Sequence, residues 1–237
     1  MSRLSVSFLS ICKKIAVVII FALLIMLAKY VLFSESRPAS NSEEYLVQHG
    51  IKKGWENELI IRGVALKFPA GYPVNPYTDR DKNIVKGRAD SVETSIDVNS
   101  DKFMPPKYAS GTVQIRISDK GSEDSESLAD YLKYTTKGAG SKVENLELNN
   151  YITAGRGGWA NLILEPFDGT KTPMGGRIIF SCNGKSLSSP GGCRTSYQHS
   201  SGLLVEYFFS GYSLSRWKEI NSQVVSFVDS ITLRREI

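Results

Sequence analysis

The C-terminal stretch, residues 213–237, reads SLSRWKEINSQVVSFVDSITLRREI, and its apolar side chains decide the fold class. Trp217, Ile220, Val224, Phe227 and Ile231 recur at spacings of 3, 4, 3 and 4, which is one stripe along a helix. Lys218, Glu219, Asn221 and Ser222 occupy the other face, and Ser213 or Ser215 stands where a helix cap is expected. A striped helix must bury its stripe, and a sheet with one apolar face is the usual complement.

The sheet is legible upstream. Glu58–Phe68, ELIIRGVALKF, reads as a strand with Val64, Leu66 and Phe68 on one face, ended by Pro69 and Gly71. VETSIDV (92–98) places Val92, Ile96 and Val98 together, and TVQIRIS (112–118) sets Val113, Ile115 and Ile117 against Gln114 and Arg116. Strict alternation marks half-buried antiparallel strands. VENLEL, YITAG, GWANLILEPF, GGRIIFSC, CRTSYQHS and GLLVEYFFS follow as further strands between Gly- and Asn-containing turns, the pattern of a meander. Between them SEDSESLADYLKYTT (122–136) has Leu128, Tyr131, Leu132 and Thr135 at helical spacing. Glu123, Asp124 and Glu126 lie in its first turn, and Gly138 follows it. The expected fold is α+β, a mainly antiparallel sheet packed with two helices.

The chain has 29 basic and 24 acidic residues, a net charge of +5. Arg3, Lys13, Lys14, Lys29 and Arg37 against Glu35 put +4 of this in residues 1–40, which leaves 24 − 23 = +1 for the rest. The excess is a topology signal and not a nucleic-acid footprint. Ile15–Ala28 is an unbroken apolar run that resumes as YVLF to Phe33. Nineteen helical residues span about 28 Å, close to the thickness of a bilayer core. Lys29 lies near the distal end, where its stem can snorkel outward. The basic flank places the N-terminus in the cytoplasm, so the expected layout is a tail (1–14), a single-pass inner-membrane anchor (15–33), a linker or stalk (34–57) and a periplasmic domain (58–237). A cleaved signal peptide is the competing reading, weakened by the absence of a small-residue cleavage site close behind the run. SEEYLVQHGIKKGW (42–55) fits a short helix or an irregular stalk.

Cys182 and Cys193 are the only cysteines beyond the anchor region, and NGKSLSSPGG between them is rich in turn-forming residues. A disulfide between them suits an oxidising compartment. A metal site has little to draw on, with no C-x-x-C and only His49 and His199 as further soft ligands. No cofactor or metal is expected. His199 stands beside Ser200 and Ser201 without a G-x-S-x-G elbow, which suits a hydrogen-bonded strand histidine better than a catalytic one. TKGAGSK (136–142) lacks phosphate-loop spacing, and the acidic group at 123–126 lacks a calcium loop.

The most suggestive surface stretch is AGYPVNPYTDRDK (70–82). One reading is a connection whose prolines end a strand. The other is a partner-binding segment in which Tyr72, Tyr77, Asp79, Arg80 and Asp81 combine stiff aromatics with polar groups.

The element order, with GVALKFPAGY opening, SLADYLKYTT, NLELNNYITAGRGGWANLIL and GLLVEYFF following, and a last helix into FVDSITL, resembles the Mog1/PsbP-like α/β/α sandwiches. The stretch from Tyr72 to Ser110 and the Cys182–Cys193 segment depart from that pattern. The overall layout also resembles membrane-tethered periplasmic immunity proteins that guard against type VI secretion effectors. That resemblance implies a non-enzymatic protein whose partner is a toxic effector. A non-enzymatic accessory subunit of an envelope complex and an envelope hydrolase are the alternatives.

Overall fold

The computed structural model describes residues 37–40, 42–98, 111–119, 140–154, 160–186 and 189–233, with Ile19 and Leu23. The expected helix at 122–136 lies outside the described residues. So does the 15–33 run except for Ile19 and Leu23, both helical and exposed. No helix among the described residues is long and apolar enough to cross a membrane.

Arg62 and Gly63 both take positive φ, 49° and 77°, so the run expected as one strand folds back on itself. It forms β1 (Asn57–Ile61) and β2 (Val64–Phe68), antiparallel with Ile61 opposite Val64. Two consecutive left-handed residues match the twist of a tight hairpin, and Gly63 takes its share without a Cβ penalty. Leu59, Ile61, Leu66 and Phe68 point inward and are fully buried. Both hairpin edges are covered. Ile60 bonds to Gly87 and Ala89 on one side, and the Leu233 N–H donates to Ala65 on the other.

Among the described residues the remaining strands form a nine-stranded sheet. They are β3 (Asn75–Tyr77), β4 (Ser91–Asp97), β5 (Thr112–Ser118), β6 (Ser141–Val143), β7 (Leu148–Ala154), β8 (Ala160–Pro166), β9 (Phe180–Ser186), β10 (Ser189–Gln198) and β11 (Leu204–Ser210). Their order is β3-β4-β5-β11-β10-β9-β8-β7-β6, with every pairing antiparallel. The expected meander therefore runs from β6 to β11, and β11 then joins the β4–β5 hairpin.

Register decides which side chains share a face. Val92, Ile117 and Val205 stand opposite one another in a row, as do Thr94, Ile115 and Tyr207, while Phe209 faces Cys193 and Phe180 faces Leu164. Apart from Thr94, these side chains belong to one buried cluster together with the hairpin and the C-terminal helix. On the opposite face Tyr151, Ile163 and Ile179 form a small second cluster.

The C-terminal stripe forms α2 (Trp217–Ile231), and all five stripe residues are buried along with Val228. Neither Ser213 nor Ser215 caps it. A 3-10 turn, Gly211–Arg216, leads directly into the helix, and Arg216 at the cap position makes no side-chain cap bond. The helix start is fastened from both sides instead. Trp217 Nε1 donates to the Leu146 carbonyl at 2.8 Å, and Arg216 donates to the Val98 carbonyl at 2.7 Å. Lys218 pairs with Glu147 and, at 3.0 Å, with Asp168. Phe180 meets the edge of Trp217 at 5.6 Å and of Phe209 at 5.9 Å.

Cys182 and Cys193 are bonded to each other. They sit directly opposite in the β9–β10 ladder, and the segment between them continues that hairpin with register shifts near Ser189, Pro190 and Cys193. The Gly192 N–H donates to the Asn183 side chain at 2.7 Å, so this stretch joins two strands.

Candidate functional site

Met1–Ala39 and Ser40–Ile237 are two compact units, and the 42–55 segment belongs to the second. Ser42 accepts a bond from the Tyr45 N–H at 3.1 Å and caps helix α1 (Glu43–Gln48), whose Tyr45 and Leu46 are buried. Glu43 and Glu44 in its first turn suit the helix dipole. His49 follows and is fully buried. Its Nδ1 donates to the Tyr45 carbonyl at 2.9 Å, and in the neutral ring Nε2 then accepts from Thr78 Oγ1 at 2.9 Å. Tyr45 also accepts from the Thr78 N–H through its hydroxyl at 3.1 Å. Helix α1 is thereby stapled to the segment that follows β3.

That segment, Tyr77 to Asp90, carries most of the partner-binding residues expected from sequence. Edge strand β3 pairs through Tyr77 with Ser91. The Asp79 N–H donates to the Asp90 carboxylate at 2.8 Å, and Lys82 binds Asp90 at 2.8 Å and Asp79 at 3.5 Å. The hydrogen bond to Asp90, with a smaller contribution from Asp79, holds the Lys82 ammonium above its ordinary pKa. Further on, the Gly87 N–H donates to the His49 carbonyl at 2.9 Å, and the Ile60 N–H donates to Gly87 at 2.8 Å. The segment is pinned at its start, its middle and its end. Tyr77, Arg80 and Asp81 are displayed on its surface, whereas Asp79 is half-buried.

Tyr72 is placed differently. Its ring is buried against Phe227 of α2, and burial pushes its hydroxyl pKa up. It also lines a cavity of about 340 Å³ that sequence reading did not anticipate. Leu46, Ile51, Tyr72 and Val74 supply apolar walls, and Lys53 and Asn57 are polar members of the lining. Asn57 shapes this mouth. It accepts from the Lys52 N–H at 2.8 Å and donates to the carbonyls of Lys52 and Trp55 at 3.0 and 2.8 Å. Trp55, just beyond, is 69% exposed. The walls come from α1, the α1–β1 connection, β1 and the β2–β3 connection, which only the fold brings together.

A second constellation tests for hydrolytic chemistry. His199 Nε2 lies 2.9 Å from the Asp229 carboxylate, and Nδ1 lies 2.8 Å from Ser201 Oγ. The Ser201 N–H also donates to Nδ1, at 3.2 Å. These partners set the neutral tautomer with the proton on Nε2. A serine hydrolase needs its hydroxyl aimed at a bound substrate beside oxyanion donors. Here the imidazole is 5% exposed, the serine closes the β10–β11 turn, and none of the three residues lines the cavity. The geometry fastens the turn to α2. Among the described residues no group of His, Cys, Asp and Glu is arranged to hold a metal ion.

No family model and no curated protein matches this sequence. Similar solved structures include the iron-regulated outer membrane lipoprotein FrpD of Neisseria meningitidis. It is 12% identical with a TM-score of 0.49, over 77% of this chain and 94% of that one. They also include Smlt3025, an immunity protein of the Stenotrophomonas maltophilia type IV secretion system, 12% identical with a TM-score of 0.44, over 76% of this chain and 94% of that one.

Proposed function

We propose that this chain is a non-enzymatic binding protein of the bacterial envelope that neutralises a secreted protein toxin by direct contact. The observation that carries the reading is the pinned Tyr77–Asp90 surface, which shows an aromatic and charged residues on a backbone already held in place. A surface ordered before binding loses little conformational entropy on contact, which suits protein recognition. The disulfide between Cys182 and Cys193 supports an oxidising compartment. Anchoring through residues 15–33, with the second unit on the periplasmic side, would concentrate it where an incoming toxin acts. A type VI effector as the toxin and a Mog1/PsbP-like sandwich as the fold are finer forms of this reading, and both rest on the sequence resemblances.

The test is co-expression of the full chain with secreted toxins encoded beside its gene, each directed to the periplasm. Rescue of growth together with a complex that survives co-purification is the expected result. Failure to rescue from any of them, with stable capture of resident envelope proteins instead, would move the protein to an accessory role.

A further inference from the structure

Four cations without an acidic partner among the described residues lie on the α1–β1 connection, which is part of the cavity wall, or on the Val85–Arg88 stretch, which is bonded to His49 and Ile60. Lys52 and Lys53 lie on the connection between α1 and β1, and Lys53 lines the cavity itself. Lys86 lies against Gly50, where an added Cβ would sit 2.9 Å from its Cγ. Arg88 bridges to Ile60 of β1. All four side chains are exposed, and among the described residues none of them makes a salt bridge. The acids nearest these cations in sequence on either side, Glu56 and Asp90, pair with Lys67 at 3.1 Å and with Lys82 at 2.8 Å. This surplus is local, because residues 41–237 together carry only +1.

Apolar surface accompanies the charge. Trp55, Val47 and Val85 are 69%, 62% and 51% exposed, and the bond from Gly87 to His49 joins the segments of Val47 and Val85. A concave apolar pocket with an exposed tryptophan beside it has the make-up of an interface centre, which takes an inserted side chain. A rim of unpaired cations selects the sign of what surrounds that side chain.

We infer that the cavity between α1 and the β2–β3 connection receives a large apolar side chain from an acidic segment of a protein partner, with Lys52, Lys53, Lys86 and Arg88 contacting its carboxylates. The inference rests on the binding reading above and names the surface and the chemistry of the partner. A membrane surface would meet the same charges, but a flat bilayer does not fill a pocket, so the concavity favours a protein.

The experiment selects a phage-displayed random peptide library on the full chain in detergent. Enriched peptides are expected to share one bulky apolar residue flanked by acids. They should bind at least about tenfold more weakly to a Lys53→Glu/Lys86→Glu variant and to Trp55→Ala, both of which alter exposed side chains and should keep the wild-type melting curve. Enriched peptides without acids, affinity unchanged by charge reversal, or no enrichment at all would each overturn the inference. Charge-dependent co-sedimentation of the separately expressed second unit, Ser40–Ile237, which holds its own core, with phosphatidylglycerol vesicles and no acidic peptide would overturn it in favour of a membrane contact. A toxin neutralised equally by wild type and the charge-reversed variant would sink this inference and leave the proposed function standing. A wild-type chain that neutralises nothing yet selects acidic peptides would do the reverse.

Discussion

The ring of Tyr72 stacks on the ring of Phe227, with centroids 5.2 Å apart and planes inclined at 28°. The contact joins the β2–β3 connection to α2, so an aromatic that reads in sequence as a surface residue is part of the core. Tyr72→Ala is expected to cost about 3 kcal/mol or more. Tyr72→Phe keeps the stacked ring and should cost less than about 1.5 kcal/mol. Urea denaturation of the two variants checks this, and equal midpoints for Tyr72→Ala and wild type would show that the ring contributes no packing.

Asn57 is 5% exposed and ties down the loop that carries Lys53 and Trp55 through three hydrogen bonds. Asn57→Ala leaves those backbone groups without their partner and should cost roughly 1–3 kcal/mol. Amide hydrogen exchange is the sharper readout. The Lys52 amide should exchange at least about tenfold faster in the variant while the amides of β4 and β5 keep their protection.

The disulfide closes a short segment, with a sequence separation of 11 between its cysteines. In the chain-entropy treatment a loop of that length contributes about 2.5–3 kcal/mol. The Cys182→Ala/Cys193→Ala variant should lose about that much in chemical denaturation, and adding a reductant to it should change nothing further. A variant as stable as the oxidised wild type would mean the cross-link adds no stability.

Asp168 accepts bonds from the Thr170 hydroxyl at 2.6 Å and the Thr170 N–H at 3.0 Å, and it pairs with Lys218 at 3.0 Å. Those partners, the Thr170 hydroxyl first, lower its pKa from 3.8 to about 2. A lowered carboxyl pKa means the folded state favours the charged form. The contribution is therefore present above the ordinary carboxylate range and lost as pH falls from about 4 toward 2. A carboxyl titration followed by NMR should place the Asp168 midpoint near the low value in wild type and move it upward in Thr170→Val. An unmoved midpoint would show that the hydroxyl is not the main cause.

His199 holds the β10–β11 turn to Asp229 of α2. Removing it as His199→Ala should cost roughly 1–3 kcal/mol, since the Ser201 N–H and hydroxyl lose their acceptor. Asp229 is 61% exposed, so Asp229→Asn should shift stability by less than about 1 kcal/mol. A fluorophosphonate should leave Ser201 unmodified. Stoichiometric labelling there would turn the fastening into a nucleophile.

Much of the fold was legible because burial leaves a period in the sequence. The Trp217–Ile231 stripe, the alternation of TVQIRIS and the run of strands ending at GLLVEYFFS each declare one apolar face. ELIIRGVALKF was misread because both halves carry strand-forming residues and the turn is only Arg62-Gly63. A lone glycine inside such a run was the available sign of the break. The α1 segment was ambiguous because six residues are too few to show a helical period.

By itself the sequence determined the class of the domain, the cysteine pairing and the concentration of positive charge in residues 1–40, since alternation, cysteine count and charge count are local quantities. Only the tertiary structure decided where the candidate residues stand. Tyr72 turned inward because α2 presents Phe227 to it, while Tyr77 stayed outside on the edge strand and Arg80 in the turn after it. The cavity is likewise invisible in the chain. Its walls come from Leu46, Asn57 and Tyr72, and nothing in the spacing of those residues announces that a buried His49 and its bond to Thr78 tie α1 to the segment beyond β3.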